Sequence, residues 1–353
     1  MLFRSRLARW EPGSHLEFTR FDSYWRGRPP LDRVIVQFVG DANTMVANIL
    51  AEAVDVVLPP AVDLETALDV RQRWEGTGNQ VLVGPSGLLR MLDSQLRPEI
   101  ARPRNGFVQP AVRQAFYHAM DRQALVDVLT GGLAPVADSW YRPSDPLRSQ
   151  VEPLIPGYPY DLARAQQLLT QAGWARRPDG ALVDQATGDR FEVQLDGTTQ
   201  RRVQQELNII ADGWKAAGAQ VSLYSIPPAL GNNVEHRASQ PGAGVRNRVV
   251  EDFHVSYPAT RNIPSAQNRW AGNNYGGYSN SRVDALLDRL SVTIGPSERL
   301  PIQRELVHEV MADVAIWPLY WDMTNLLALK GVKGITSGEG SYHTWNFFEW
   351  DKA

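Results

Sequence analysis

The chain of 353 residues is long enough for about two domains with sizeable cores. Its 43% hydrophobic and 21% charged residues are those of an ordinary globular protein. A net charge of −3 argues against nucleic acid or an anionic membrane surface as partner, and the absence of cysteine excludes disulfides, thiol nucleophiles and zinc–thiolate sites.

No apolar run reaches the ~20 residues needed to span a bilayer. The opening MLFRSRLARW lacks the apolar segment of a signal peptide, so no export signal is expected in the polypeptide as it stands. After this irregular start, residues 10–39 predict two strands around a turn. Leu16 and Phe18, then Val34, Val36 and Phe38, alternate with polar residues, and Gly27 to Pro30 supply the turn. Asp41 is placed to cap a helix carrying Val46, Ile49 and Leu50, followed by the short buried strand VDVVLPP and a helix over Leu64–Trp74. Two further strands are expected at Val81–Val83 and Leu88–Leu92.

Val112, Ala115, Phe116, Ala119 and Met120 form one apolar helical stripe. Pro110 suits the first turn. Asp121 is placed to cap a second helix with Leu125, Val126 and Leu129, which Gly131 and Gly132 stop. Tyr141–Tyr160 is rich in proline and predicts a loop. Asp161 starts a helix that ends at Gly173. A strand at Phe191–Leu195, a helix carrying Val203, Leu207, Ile210 and Trp214, and a strand at Val221–Ser225 predict a parallel pair with a right-handed crossover. Pro227–Arg248, rich in Gly, Pro, Asn and Arg, predicts a long loop. Phe253 and Val255 mark a strand. Ser279 or Asn280 caps a helix carrying Val283, Leu286, Leu287 and Leu290. Another helix begins near Ser297, with Pro301 tolerable only in its first turn or so. IWPLYWDM and NLLALK predict two buried strands.

No catalytic constellation emerges. His308–Glu309 begins like a zinc-protease motif, but Ala312 holds the second ligand position. Gly84-Pro85-Ser86-Gly87 is half of a nucleophile elbow, with Leu88 where the last glycine belongs. Gly242-Ala243-Gly244 lacks the third glycine of a dinucleotide loop. No metal or cofactor is expected, and no enzymatic activity. The densest candidate for holding a ligand is Tyr257–Tyr278, where Tyr257, Arg261, Trp270, Asn273, Asn274 and Tyr275 share an aperiodic stretch with glycines. Trp270 would supply a flat apolar wall, Arg261 a charged donor, and Asn273 and Asn274 neutral hydrogen-bonding groups. Gly272, Gly276 and Gly277 would let backbone approach the ligand.

Several strings together resemble the solute-binding subunits of ABC importers, in the family that binds oligopeptides, dipeptides and nickel chelates (solute-binding family 5). They are VRQAFYHAMDRQALVDVLTGG, YPYDLARAQQLLTQAGW, NNYGGYSNSRVDALL, WPLYW and TWNFFEW. The likeness runs from about Trp10 to Trp350. It implies an α/β, type II periplasmic-binding-protein-like fold: two lobes with mixed sheets, the first lobe incomplete. Residues 89–321 would be the second, complete ligand-binding lobe. Residues 1–88 and 322–353 would be the remnant of the first, with Val34–Phe38 and Leu326–Lys330 in one sheet. Family members carry an export signal and most of the first lobe before the point where this chain begins, so a C-terminal portion exposing apolar surface is expected.

The resemblance implies capture of a small-molecule ligand, a peptide or related solute, in a cleft. The ligand would be delivered to ABC permease subunits from a periplasmic or extracellular location, with no nucleic acid involved. Tyr320 and Trp321, where PLYW reaches the lobe crossover, join the candidate site. In the family an Asp at the strand end before Tyr257–Tyr278 pairs with a peptide's amino terminus. The matching HVSYPATRN has no carboxylate, so Arg261 would favour a carboxylate or other anion. Two other classes stay open. One is a fragment with no activity of its own. The other is a cleft enzyme such as a glycan hydrolase, which needs two facing carboxylates ~5–9.5 Å apart.

Overall fold

A computed structural model of the chain describes residues 4–250, 256–336 and 343–353; the strand expected at Phe253 and Val255 lies outside them. The chain divides into two compact units, Met1–Ser86 with Met323–Ala353, and Gly87–Asp322.

The first unit opens with β1 (Ser5–Glu11), β2 (His15–Arg20) and β3 (Arg33–Gln37), an antiparallel sheet in that order. Leu7, Phe18 and Val34 are cross-strand partners, as are Trp10, Leu16 and Val36. Of these, Leu7, Trp10 and Val36 stay exposed. Helix α1 (Ala42–Leu50) starts at Asp41, whose carboxylate accepts the Thr44 amide at 2.8 Å. Strand β4 (Val56–Val57) and helix α2 (Leu64–Arg73) follow, with Asp63 capping α2 in the same way. Ile49, Val57, Val62, Ala67, Val70 and Trp74 close a core with Leu327 and Leu329.

Strand β5 (Gln80–Ser94) is one strand where two were expected. Gly84 and Pro85 both accept extended backbone, and a proline there removes only one ladder donor. The second unit continues with α3 (Pro110–His118), α4 (Arg122–Thr130), α5 (Arg148–Val151), α6 (Leu162–Gln171), β6 (Trp174–Arg176), β7 (Leu182–Asp184), β8 (Glu192–Thr198), α7 (Arg201–Ala216), β9 (Gln220–Ile226), α8 (Val234–Ala238), β10 (Ala243–Val249), α9 (Ser281–Val292), α10 (Pro296–Ala312) and β11 (Trp317–Ala328). Short strands β12 (Val332–Lys333) and β13 (Asp351–Lys352) pair in the first unit.

Within Gly87–Asp322 the sheet runs β11-β5-β10-β8-β9. The β8–α7–β9 crossover is parallel, as expected, whereas β10 runs parallel to β8 and antiparallel to β5, so the sheet is mixed. The caps follow the sequence: Asp121 accepts the Ala124 amide at 2.9 Å and Gly131 closes α4 at φ +59°. Three expectations are corrected. Leu327 and Ala328 pair with β4, while β3 is held by β2, so Val34–Phe38 and Leu326–Lys330 lie in separate sheets; alternation marks a strand but not its neighbour. Pro301 sits inside α10, at its sixth residue. Finally, Pro227–Arg248 is not a loop but contains α8 and most of β10.

The core of the second unit is an aromatic knot. Phe107 meets Phe116, Phe191, Trp214 and Trp317 with ring centroids 5.3–5.7 Å apart, and the Trp214 Nε1–H donates to the Phe116 carbonyl at 3.1 Å. Gly213 lets α7 approach this knot, because a Cβ there would lie 2.1 Å from the Ala119 carbonyl oxygen. Glycine to alanine inside a helix normally gains up to about 1 kcal/mol. At Gly213 the sign reverses: Gly213→Ala forces α7 off α3 and α4 and is expected to destabilise by roughly 1–3 kcal/mol, as overpacking does. Urea unfolding of the variant checks this, and an unchanged or raised midpoint contradicts it.

Candidate functional site

The polar centre of the second unit follows from strand register. Gly244 on β10 pairs with Asp93 on β5 at one side and with Asp196 on β8 at the other. Partners in register share a face, so two carboxylates flank a residue with no side chain. Two residues along, Arg246 lies on the same face of β10 and reaches back into that gap, with its Nη2 2.7 Å from Asp196 and its Nε 4.0 Å from Asp93. A Cβ on Gly244 would lie 2.4 Å from the Arg246 guanidinium and 2.5 Å from Asp196. All three charged groups are buried, and burial pushes the Asp196 carboxyl up despite Arg246 beside it.

Arg248, the next residue on that face, donates to Asp93 at 3.3 Å and to the Asn273 carbonyl at 3.0 Å. Its guanidinium lies 4.5 Å from the Tyr257 ring centroid and 4.9 Å from that of Tyr275. The Tyr257 hydroxyl donates to Asp93 at 2.5 Å. Burial opposes charge on Arg248, but Asp93, Tyr257 and Tyr275 together outweigh it and hold the guanidinium protonated. Arg248 and Tyr257 also border an apolar crevice lined by Leu89, Met91, Trp140 and Ile316. Arg237 on α8 lies 5.0 Å from the same Tyr275 ring. A set of cations, anions and aromatics locked in place before any ligand arrives can recognise a charged or polar solute with little reorganisation.

A second network supports the first from β5. Arg90 binds Glu206 on α7 through two hydrogen bonds, at 3.0 and 2.5 Å. The Tyr320 hydroxyl donates to Glu206, and Arg202 joins Tyr320 at 3.0 Å to Asp322 at 2.6 Å.

The eight residues singled out in the sequence therefore fall into separate settings. Tyr257, Asn273 and Tyr275 converge on Arg248. Tyr320 belongs to the Glu206 network, and Trp321 is buried with its indole N–H unpartnered. Arg261 is exposed and paired with Asp288 at 2.6 Å. Asn274 is consumed by its own turn, donating to Ala259 and Tyr278 and accepting from the Tyr278 amide. Trp270 is half-buried at φ +60°. Gly272 and Gly276 make room for protein backbone, the carbonyls of Asn262 and Ser94. Sequence reading missed Asp93, Asp196, Arg246 and Arg248. The signal was the alternation Val245, Asn247, Val249 against Gly244, Arg246, Arg248, hidden because Val245 and Arg246 are both buried, so the charged set does not mark a solvent face.

The buried phenols carry a pH dependence. Burial, then Asp93, pushes Tyr257 well up, and burial, then Glu206, pushes Tyr320 up. Burial, with Asp138 and Tyr158, raises Tyr117 against the pull of Arg122, and burial with Asp313 brings Tyr158 to about 12. The folded state thus keeps protons that the unfolded chain releases near pH 10. Their stabilisation is complete below pH ~10 and is lost as pH rises through the raised values. Absorbance at 295 nm is expected to show these phenols titrating only with cooperative alkaline unfolding; reversible titration of all eleven tyrosines near pH 10 in folded protein contradicts it.

Residues 6–268 match the profile of the bacterial extracellular solute-binding proteins, family 5 middle region. The chain is 23% identical to the oligopeptide-binding protein AppA of Bacillus subtilis over 92% of its own length and 56% of that protein's. It is 24% identical to the glutathione-binding protein GsiB of Escherichia coli, over 83% of this chain and 53% of the relative. It therefore spans little more than half the length of these curated relatives. The oligopeptide-binding protein of Thermus thermophilus, solved with a pentapeptide, superposes over 99% of this chain and 62% of its own with a TM-score of 0.76 at 23% identity. That likeness shows the fold, the type II periplasmic-binding-protein architecture with mixed sheets that the sequence motifs implied. With the profile covering most of its length, the chain belongs to the family 5 bacterial extracellular solute-binding proteins.

Proposed function

We propose that this chain supplies the ligand-binding part of an ABC importer's solute-binding subunit, capturing a peptide or related small solute outside the cytoplasmic membrane for delivery to the permease. Residues 89–321 act as the complete ligand-binding lobe, and 1–88 with 322–353 as part of the first. The observation that carries the reading is the cluster of Asp93, Arg248, Tyr257 and Tyr275, fixed polar and aromatic groups on a rigid sheet within a chain of this family. Trp270 and Asn273 complete the ligand's surroundings, while Arg261, Asn274, Tyr320 and Trp321 hold the elements in place. Catalysis has no part in this proposal, since Asp93 and Asp196 are buried against arginines and are poorly placed to exchange protons with substrate or water.

Native mass spectrometry of protein purified without denaturation is expected to find a bound peptide or peptide-like solute. Arg248→Lys keeps the charge but loses the planar fork and the stacking on Tyr257 and Tyr275. It is expected to weaken binding of that solute about tenfold or more, roughly 1.4 kcal/mol, with the fold retained by circular dichroism. A non-peptide cargo overturns the ligand class. Unchanged affinity in the folded variant overturns the site.

A further inference from the structure

Among the described residues, the charges around Tyr275 do not balance. Three guanidinium groups, those of Arg237, Arg246 and Arg248, gather at two carboxylates, Asp93 and Asp196. Arg246 is taken by Asp196 and Arg248 by Asp93. Arg97, nearby, adds another positive charge opposed by Glu99, and its N–H groups are used on the carbonyls of Ala238, Pro264 and Tyr275 and on the Gln95 side chain. Arg237 is left over. Its guanidinium lies over the Tyr275 ring at 5.0 Å, its Nε is buried without a hydrogen-bond partner, and among the described residues no carboxylate pairs with it.

Such a group is costly to keep. A partly buried cation without a paired anion loses hydration; here the Tyr275 ring and the more distant Asp93 offset part of that loss, while two like charges, Arg246 and Arg248, add to it. Burial, then Arg246, drives the Arg237 proton affinity down. A protein stabilised only by internal pairing would place a neutral residue at this position. A planar donor fork held over an aromatic ring beside a second guanidinium is suited to an incoming oxyanion, which it can bind bidentately. On this basis we infer that Arg237, assisted by Arg248, is the recognition group for a carboxylate of the captured solute. This ligand is therefore anionic at the end that meets Tyr275. The inference rests on the solute-binding reading and replaces Arg261, already neutralised by Asp288, as the charged donor.

The test uses the full chain at low ionic strength, with calorimetric titration of matched pairs: trialanine against trialanine amide, glutarate against glutaramide, and inorganic phosphate as a second source of oxyanion. The acids are expected to bind at least tenfold more tightly than their amides. Arg237→Gln is expected to abolish that difference, Arg237→Lys to restore part of it, and Arg237→Gln to melt close to the native chain in the absence of ligand, since the Tyr275 ring contact is lost but no ion pair among the described residues is. The inference is overturned if no acid binds, if acids and amides bind equally, if Arg237→Gln keeps the preference, or if Arg237→Gln melts well below native. Phosphate binding tighter than either acid replaces carboxylate by phosphate as the recognised group and overturns the carboxylate assignment. If trialanine and its amide bind alike and Arg237→Gln is silent, the peptide-capture reading stands while this inference falls. If glutarate binds through Arg237 and no peptide does, the inference stands and the peptide reading falls.

Discussion

The second unit depends on a single row of its sheet, Asp93, Gly244 and Asp196 on three adjacent strands. Side by side, two carboxylates would repel, and a side chain between them would leave no room for a counter-ion. Glycine at the central position opens that room, and Arg246 from two residues along the same strand fills it. The register of β10 against both neighbours is thereby specified. A one-residue slip would turn Arg246 to the opposite face and leave two buried anions without a cation. Buried ion pairs of this kind add little net stability, because desolvation offsets attraction; their effect is on which arrangement is permitted.

Once that row is in place, the remaining charges become ordered in turn. Arg248 is carried to Asp93 by the alternation of β10 and brings Tyr257, Tyr275 and the Asn273 carbonyl around it. Behind it, Arg90 and Glu206 pin β5 to α7, and Tyr320 ties β11 to the same carboxylate. Three strands are thus fixed by polar contacts that tolerate little displacement, on top of an aromatic core that tolerates little volume change. Preorganisation of this sort suits the proposed capture of a solute, where every rotamer frozen beforehand is entropy not lost on binding.

The segment Tyr257–Tyr278 contributes to this site in a different way from what its composition suggests. Its aromatic rings are used as stacking platforms for arginines that arrive from β10 and α8. Its glycines bring backbone onto backbone, and Asn274 is spent entirely on its own turn. The charged groups that could meet a ligand come from elsewhere in the chain, as far back as β5.

Much of the fold was legible in the sequence because it rests on local signals. Helix periodicity, the caps at Asp121, Asp161 and Asn280, and the parallel β8–α7–β9 crossover are all written within a few residues of where they act, and the family motifs extend over nearly the whole length. The site was not legible, for a physical reason. Arg246 and Arg248 read as solvated loop residues until Asp93 and Asp196, distant in the chain, are brought beside them, because a charge is tolerable inside only when its partner is present. Likewise the partner of a strand is not encoded in its alternation: β3 and β11 carry equally apolar patterns, and only the assembled sheets decide that they lie apart. The sequence by itself determined most of the helices, caps and strands, because their signals are local, but not the helix and strand hidden in Pro227–Arg248. Which charges would face each other, and which one would be left without a partner, only the tertiary structure decided.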